Sequence, residues 1–180
     1  MNSSSPITDR PSTTLQHLTL MVLLFGAIVV VRWLILATFG NDAPYWDQWE
    51  GEVALLYKPY VDGTLPFAQM VEPHNEHRIF FSRAFNLLLF EANDRQFDNL
   101  VETYANAVVY SIALLAAAWP VLRRLSGANL LIGAIVVACA GIAPYGAENL
   151  LVGFQNAFYF LILFAAIGMA AIASGNGAGA

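Results

Sequence analysis

The chain has 180 residues, 58% of them hydrophobic and only 12% charged, with a formal net charge of −5. A soluble domain is about a quarter charged, so this balance argues against one, and the negative sign leaves no basis for nucleic-acid binding, which needs clustered cations. A single cysteine, Cys139, rules out an intramolecular disulfide.

Crossing the hydrocarbon as a helix takes about 20 mostly apolar residues. Residues 1–14 read as a cytoplasmic N-terminal tail, rich in Ser, Thr and Pro. A first transmembrane helix over 15–39 follows, with its apolar run from Leu18 to Phe39 broken only by Arg32. That run exceeds the roughly 7–15 residues of a signal-peptide core, and the flank ATFGND is a poor cleavage site, so the segment reads as an uncleaved anchor. Three further transmembrane helices are expected within 103–174, from the apolar runs Tyr104–Leu122, Ala128–Ala143 (short for a span) and Phe154–Ala173. Residues 175–180 are Gly/Ala-rich and read as a flexible or truncated tail. Cys139 falls inside the third span as a small buried apolar filler. The fold class expected is all-α: a multipass helical membrane protein with about four spans.

Between the first two spans lies the acidic stretch 40–102. It carries eleven carboxylates against four cations, Lys58, Arg78, Arg83 and Arg95. Arg123 and Arg124 in the short second connection, with Arg10 at the N-terminus, place those segments in the cytoplasm by the positive-inside rule. The acidic stretch is then an extracytoplasmic loop at the cell membrane, as is 144–156. Within the loop, Trp46–Lys58 has apolar Trp46, Trp49, Val53 and Leu56 at helical spacing, with Glu50 beside them. Ile79–Phe90 spans about 18 Å as a helix, too short to cross. Its polar stripe Arg78, Ser82, Asn86 and its apolar flanks Phe80, Phe81, Ala84, Leu87 and Leu88 predict a helix lying in the membrane interface. Pro59, Asp62-Gly63 and Pro66 mark turns between the two.

An anchor helix, an acidic motif opening an outer loop, two loop helices and a span ending in paired arginines together resemble the start of a GT-C superfamily membrane glycosyltransferase of the polyprenyl-phosphate-sugar type. The resemblance covers residues 15–125. That family carries an acidic pair shortly after the first span; here the matching stretch is Asp47-Gln48-Trp49-Glu50, which keeps the Asp. Where its lipid-A and protein-modifying branches have Lys-Pro-Pro-Leu, this chain has Asn75-Glu76-His77-Arg78. The resemblance implies sugar transfer from a polyprenyl-phosphate donor at the extracytoplasmic face, with Asp47 as general base for the acceptor hydroxyl. Arg78 would compensate the lipid phosphate, and Trp46, Trp49, Glu50, Glu76 and His77 would contact substrate. From pattern alone, YWDQW reads slightly better as an aromatic belt with an incidental surface Asp; the resemblance puts Asp47 ahead.

No cofactor is expected. His74 and His77 bracket Asn75-Glu76, but two histidines without a third fixed ligand assign no metal. Arg32, roughly 10 Å from the end of its span, is expected to snorkel to the interface. Glu148, Asn149, Gln155 and Asn156 read equally as part of a polar pocket or as helix caps. The partners implied are membrane lipid and a polyprenyl-phosphate-linked sugar. GT-C enzymes usually have more than four spans, so a missing C-terminal part or a further membrane subunit is also expected. The alternative is a non-catalytic membrane protein, either an accessory subunit or a component of a lipid-linked sugar transporter.

Overall fold

The computed structural model describes residues 11–143 and 146–175, and among them every regular element is helical. Helix α1 (Pro11–Phe39) opens on a proline, which a first helical turn accepts because its N–H would be unpaired there anyway. The part of the expected tail before Pro11 lies outside the described residues, as does the tail from residue 176 on. A π-helix (Trp49–Tyr57) then runs into the single turn α2 (Lys58–Val61). The short α3 (Phe67–Val71) and the amphipathic α4 (Phe80–Ala92) complete the acidic stretch. The remaining helices are α5 (Asn99–Leu122), α6 (Gly127–Ile142), α7 (Ala147–Leu151) and α8 (Asn156–Gly175).

Three helical stretches are long and apolar enough to cross a membrane: Thr14–Phe39, Asn99–Leu122 and Gly153–Ile172. Helix α6 is apolar but has only 16 residues, about 24 Å at 1.5 Å per residue, which is less than the roughly 30 Å hydrocarbon thickness. Helix α5 is central and packs on α1, α6 and α8. One apolar cluster (Leu24, Leu115, Leu122, Ala134) joins α1, α5 and α6 toward one end of the bundle; another (Leu36, Ala107, Leu150) joins α1, α5 and α7 toward the other. The outward faces carry large apolar side chains, among them Val22, Leu34, Ile132, Val136, Leu161 and Met169. A run of such faces on every long helix is what lipid, rather than water, tolerates. Cys139 belongs to this outer face, exposed instead of buried.

Two expectations for the acidic stretch are modified. The helix predicted from Trp46 begins at Trp49, because Trp46 sits at a φ of 49°, in the left-handed region that stops a right-handed helix. Its hydrogen bonding is also wider than α: the Lys58 N–H reaches back five residues to the Val53 carbonyl. Residues four apart then lie nearly above one another, so the buried side is Gln48, Glu52 and Leu56 while Trp46 and Trp49 face outward. Helix α4 forms close to the predicted Ile79–Phe90, but inverted: its polar stripe points inward, with Ser82, Arg83 and Asn86 buried and Phe81 and Leu88 exposed. Arg83 ties it to α3, donating to the carbonyls of Gln69 and Glu72 at 2.6 Å each and so capping the C-terminal end of that short helix.

Arg32 does not snorkel. It is buried among α1, α5, α6 and α8, donating to the Gly141 carbonyl at 3.1 Å and to the Tyr159 hydroxyl at 3.3 Å.

Candidate functional site

The first two turns of α5 are polar, and they organise everything around them. Asp98 caps the helix by accepting from the Leu100 N–H at 2.7 Å. Asn99 donates to the carbonyls of Asn41 and Leu151 (2.8 and 2.9 Å) and accepts from the Gly153 N–H at 2.8 Å. Two turns further along, Asn106 donates to the Gly153 carbonyl at 2.6 Å. Gly153 is therefore held on both backbone groups, and glycine is required there. A Cβ at that position would fall 2.0 Å from Glu102 Oε2.

Glu102 lies between these asparagines and meets Glu52 of the π-helix. Both carboxyls are buried. Gln48 bridges them, its amide donating to Glu52 at 2.9 Å and to Glu102 at 3.1 Å. Tyr57 donates its hydroxyl to Glu102, Asn86 of α4 donates to Glu52, and Asn156 at the start of α8 donates to Asn86. Burial pushes the Glu52 carboxyl well above the ordinary carboxylate value, and the negative charge of Glu102 pushes it further. The Tyr57 phenol is raised for the same two reasons, with burial the larger. Amides and one neutral carboxyl thus hold two acidic side chains together without a cation. Among the described residues the only ion pairs are Lys58–Asp62 and Arg95–Glu91, both exposed.

Beside this cluster is a groove of about 360 Å³, within the roughly 300–1,000 Å³ of small-molecule sites. His74, Glu76, His77 and Arg78 form its polar end; Phe81, Phe154, Phe158, Leu161 and Phe164 form its apolar wall. The polar end is a tight turn in which His74 and His77 exchange backbone hydrogen bonds of 2.8 and 3.0 Å, with Asn75 at a φ of 52°. His74 meets the Phe154 ring edge-on at 5.0 Å. Arg78 is exposed and spends one of its five donors on the Val71 carbonyl at 3.0 Å. The groove is therefore amphiphilic, polar at one end, where Arg78 and Glu76 carry opposite charges, and aromatic along its length.

Of the residues singled out in the sequence, Glu76, His77 and Arg78 come together in this groove. Asp47, Glu50, Trp46 and Trp49 do not line it; they stand exposed on and before the π-helix, and Asp47 has no hydrogen bond or ion pair among the described residues. The link between the two sets is Gly51. A Cβ there would lie 2.9 Å from the Phe154 ring and 3.1 Å from the His74 ring, so the π-helix packs its backbone directly on the groove. Gln155 joins the groove and Asn156 the buried cluster, whereas Glu148 and Asn149 are exposed near the short α7. Among the described residues no three or more His, Cys, Asp or Glu side chains converge where a metal ion could sit.

The sequence reading gave no site role to Glu52 and Glu102; it named Gln48 and Asn86 only in passing, in the acidic motif and in a polar helix stripe, and left Asn156 open between a polar pocket and a helix cap. A signal for some of them existed: Asn99, Glu102, Thr103 and Asn106 form one polar stripe at helical spacing on the opening of a helix that is apolar beyond it. Comparison with protein-family models, with curated proteins and with solved structures finds no match to this chain.

Proposed function

We propose that this chain serves a membrane glycosyltransferase of the polyprenyl-phosphate-sugar type, with the groove at Arg78 holding the lipid phosphate and Asp47 as the base that takes the acceptor proton. In this reading the chain makes four spans, α6 being the short one, with the N-terminus cytoplasmic and 40–102 extracytoplasmic. One observation carries it: the groove pairs a guanidinium with spare donors and two imidazoles with a run of aromatic side chains. A polyprenyl phosphate has that same polarity, a doubly charged head on an apolar chain. Glu76 and His77 flank Arg78 and would orient it, while exposed Trp46 and Trp49 offer flat faces for a sugar ring. Asp47, exposed and without a hydrogen-bond partner, is available to an acceptor hydroxyl.

A second reading rests on a different observation. The two buried carboxylates of this region are consumed in their own pairing, and Asp47 stands outside the groove. A protein that holds a lipid-linked sugar without reacting it, as an accessory subunit or transporter component, needs the groove alone.

Arg78→Ala and Asp47→Asn separate the two. Polyprenyl-phosphate binding in nanodiscs should weaken about 10- to 100-fold in Arg78→Ala, the loss of charge-assisted hydrogen bonds. Sugar transfer in membranes should fall about 10²–10⁴-fold in Asp47→Asn, with lipid binding kept. Unchanged transfer in Asp47→Asn with binding lost in Arg78→Ala would leave the carrier reading, and unchanged binding in Arg78→Ala would sink both.

A further inference from the structure

Arg32 is the one formally charged residue of α1, and its surroundings leave a charge uncompensated. It is 94% buried, at 6% exposure. Of its five N–H donors, one reaches the Gly141 carbonyl and one the Tyr159 hydroxyl, while Nε is buried with no partner. Its guanidinium carbon stacks 3.9 Å above the centre of the Tyr110 ring, a contact that orients a cation without neutralising it. No carboxylate is paired with it among the described residues. An isolated buried charge is costly, and a guanidinium cannot shed its proton to escape that cost.

The same side chain lines a cavity of about 190 Å³, together with Tyr110, Tyr159, Asn149, Phe158 and Ile162. Among the described residues no acidic side chain lines it to repel an anion. Gly146 and Asn149, both exposed, also line it, near the short α7. Its volume is below the roughly 300–1,000 Å³ of a site for a whole small molecule, so it suits a single headgroup or a small ion. We propose that this cavity is an anion site that takes a phosphate group, carried on a lipid or free in solution, with Arg32 donating through the N–H bonds of its two terminal nitrogens that Gly141 and Tyr159 do not use. Tyr110, Gly141 and Tyr159 hold the guanidinium in place, and charge-assisted N–H bonds to a phosphate oxygen are strong ones. This site is separate from the Arg78 groove, and its test does not depend on glycosyl transfer.

The test compares thermal unfolding of the whole chain in a phosphate-free detergent alone, with added phosphatidylglycerol, and with added inorganic phosphate. A ligand that binds only the folded state raises the transition. Phosphatidylglycerol should raise the wild-type Tm by several degrees over the detergent alone, and Arg32→Gln should lose most of that increment. Because Arg32→Gln disturbs a buried network, Ala140→Leu serves as the second variant. It fills the cavity from α6 and leaves the guanidinium in place, and it should lose the increment too. A rise with inorganic phosphate in detergent, with apparent affinity about 10- to 100-fold weaker in both variants, assigns the site to free phosphate. No increment from either source, or increments equal in wild type and variants, overturns the proposal.

Discussion

At the junction of the π-helix, α4, α5 and α8, two buried carboxyls meet through Gln48, and among the described residues no cation is paired to either. Between α1, α5, α6 and α8 lies a guanidinium to which no carboxylate among the described residues is paired. Both clusters are buried, and both draw on amides, hydroxyls and backbone carbonyls. They differ in what the charged group itself can do. Glu52 answers burial by holding a proton, as its raised pKa records, and the remaining lone pairs are met by Gln48, Asn86 and Tyr57. Arg32 carries a fixed charge; its Nε is buried without a partner among the described residues, and the side chain lines a cavity. The anionic cluster leaves only the amide oxygens of Asn106 and Asn156 unpaired and meets burial by protonation, which suits a clamp; the cationic one keeps a fixed charge beside a cavity, which suits a site.

The clamp is broken hardest at its tightest contact. Gly153→Ala places a Cβ 2.0 Å from Glu102 Oε2 and 2.6 Å from its Cβ, and neither neighbour has room, since Asn99 and Asn106 pin the same backbone unit. The variant should lose about 3 kcal/mol, the upper end of overpacking costs. The measurement is unfolding in detergent, and a loss below about 1 kcal/mol would mean that the clamp contributes little.

A matched pair of substitutions sharpens the point about protonation. Asn86→Leu removes the donor to Glu52 and the acceptor for Asn156, whose own Oδ1 is already unpaired. Stranding those groups should cost about 2 kcal/mol. Glu52→Gln keeps the shape and most of the hydrogen bonding, so it should cost less than about 1 kcal/mol in acid. Its effect is on pH dependence. Above the ordinary carboxylate value of 4.5, and up to the raised value of Glu52, the folded chain keeps a proton that the unfolded chain has lost. Wild-type stability is therefore greatest below that window and falls as the pH rises through it. Glu52→Gln should flatten that slope, and a slope that stays the same places the titration elsewhere.

The long apolar runs were legible because length and hydropathy alone locate them: α1, α5 and α8 all fall where Leu18–Phe39, Tyr104–Leu122 and Phe154–Ala173 place them. The short third run likewise appears as α6. The buried clamp was not legible, for two physical reasons. A 3.6-residue period aligns Trp49, Val53 and Leu56, whereas the wider π-turn turns Gln48 and Glu52 inward instead. In α4 the polar stripe was visible but its direction was not, since facing water or lipid headgroups and facing a buried amide network require the same spacing. The candidate site was half legible. Glu76, His77 and Arg78 meet in one groove, but its aromatic wall comes mainly from α8, some eighty residues further along the chain, and no local pattern announces that pairing.

The smallest effect belongs to the ion pair that looks strongest on paper. Lys58 Nζ lies 2.5 Å from Asp62 Oδ2, four residues along, in the turn that leaves the π-helix. Unlike the two buried clusters, it has both its charges paired, yet its side chains are 70% and 47% exposed. Water already solvates both ends, so pairing gains little and fixes two flexible side chains. The order Lys then Asp also sets the pair against the helix dipole, which favours the acid on the N-terminal side. Asp62 is held independently, because its backbone N–H donates to the Lys58 carbonyl at 3.0 Å whatever the lysine side chain does. Lys58→Ala should therefore change stability by no more than about 0.5 kcal/mol, and added salt should hide even that. An unfolding curve for Lys58→Ala that shifts as far as that of Asn86→Leu would reverse the ranking of buried amide networks over exposed charge pairs in this molecule.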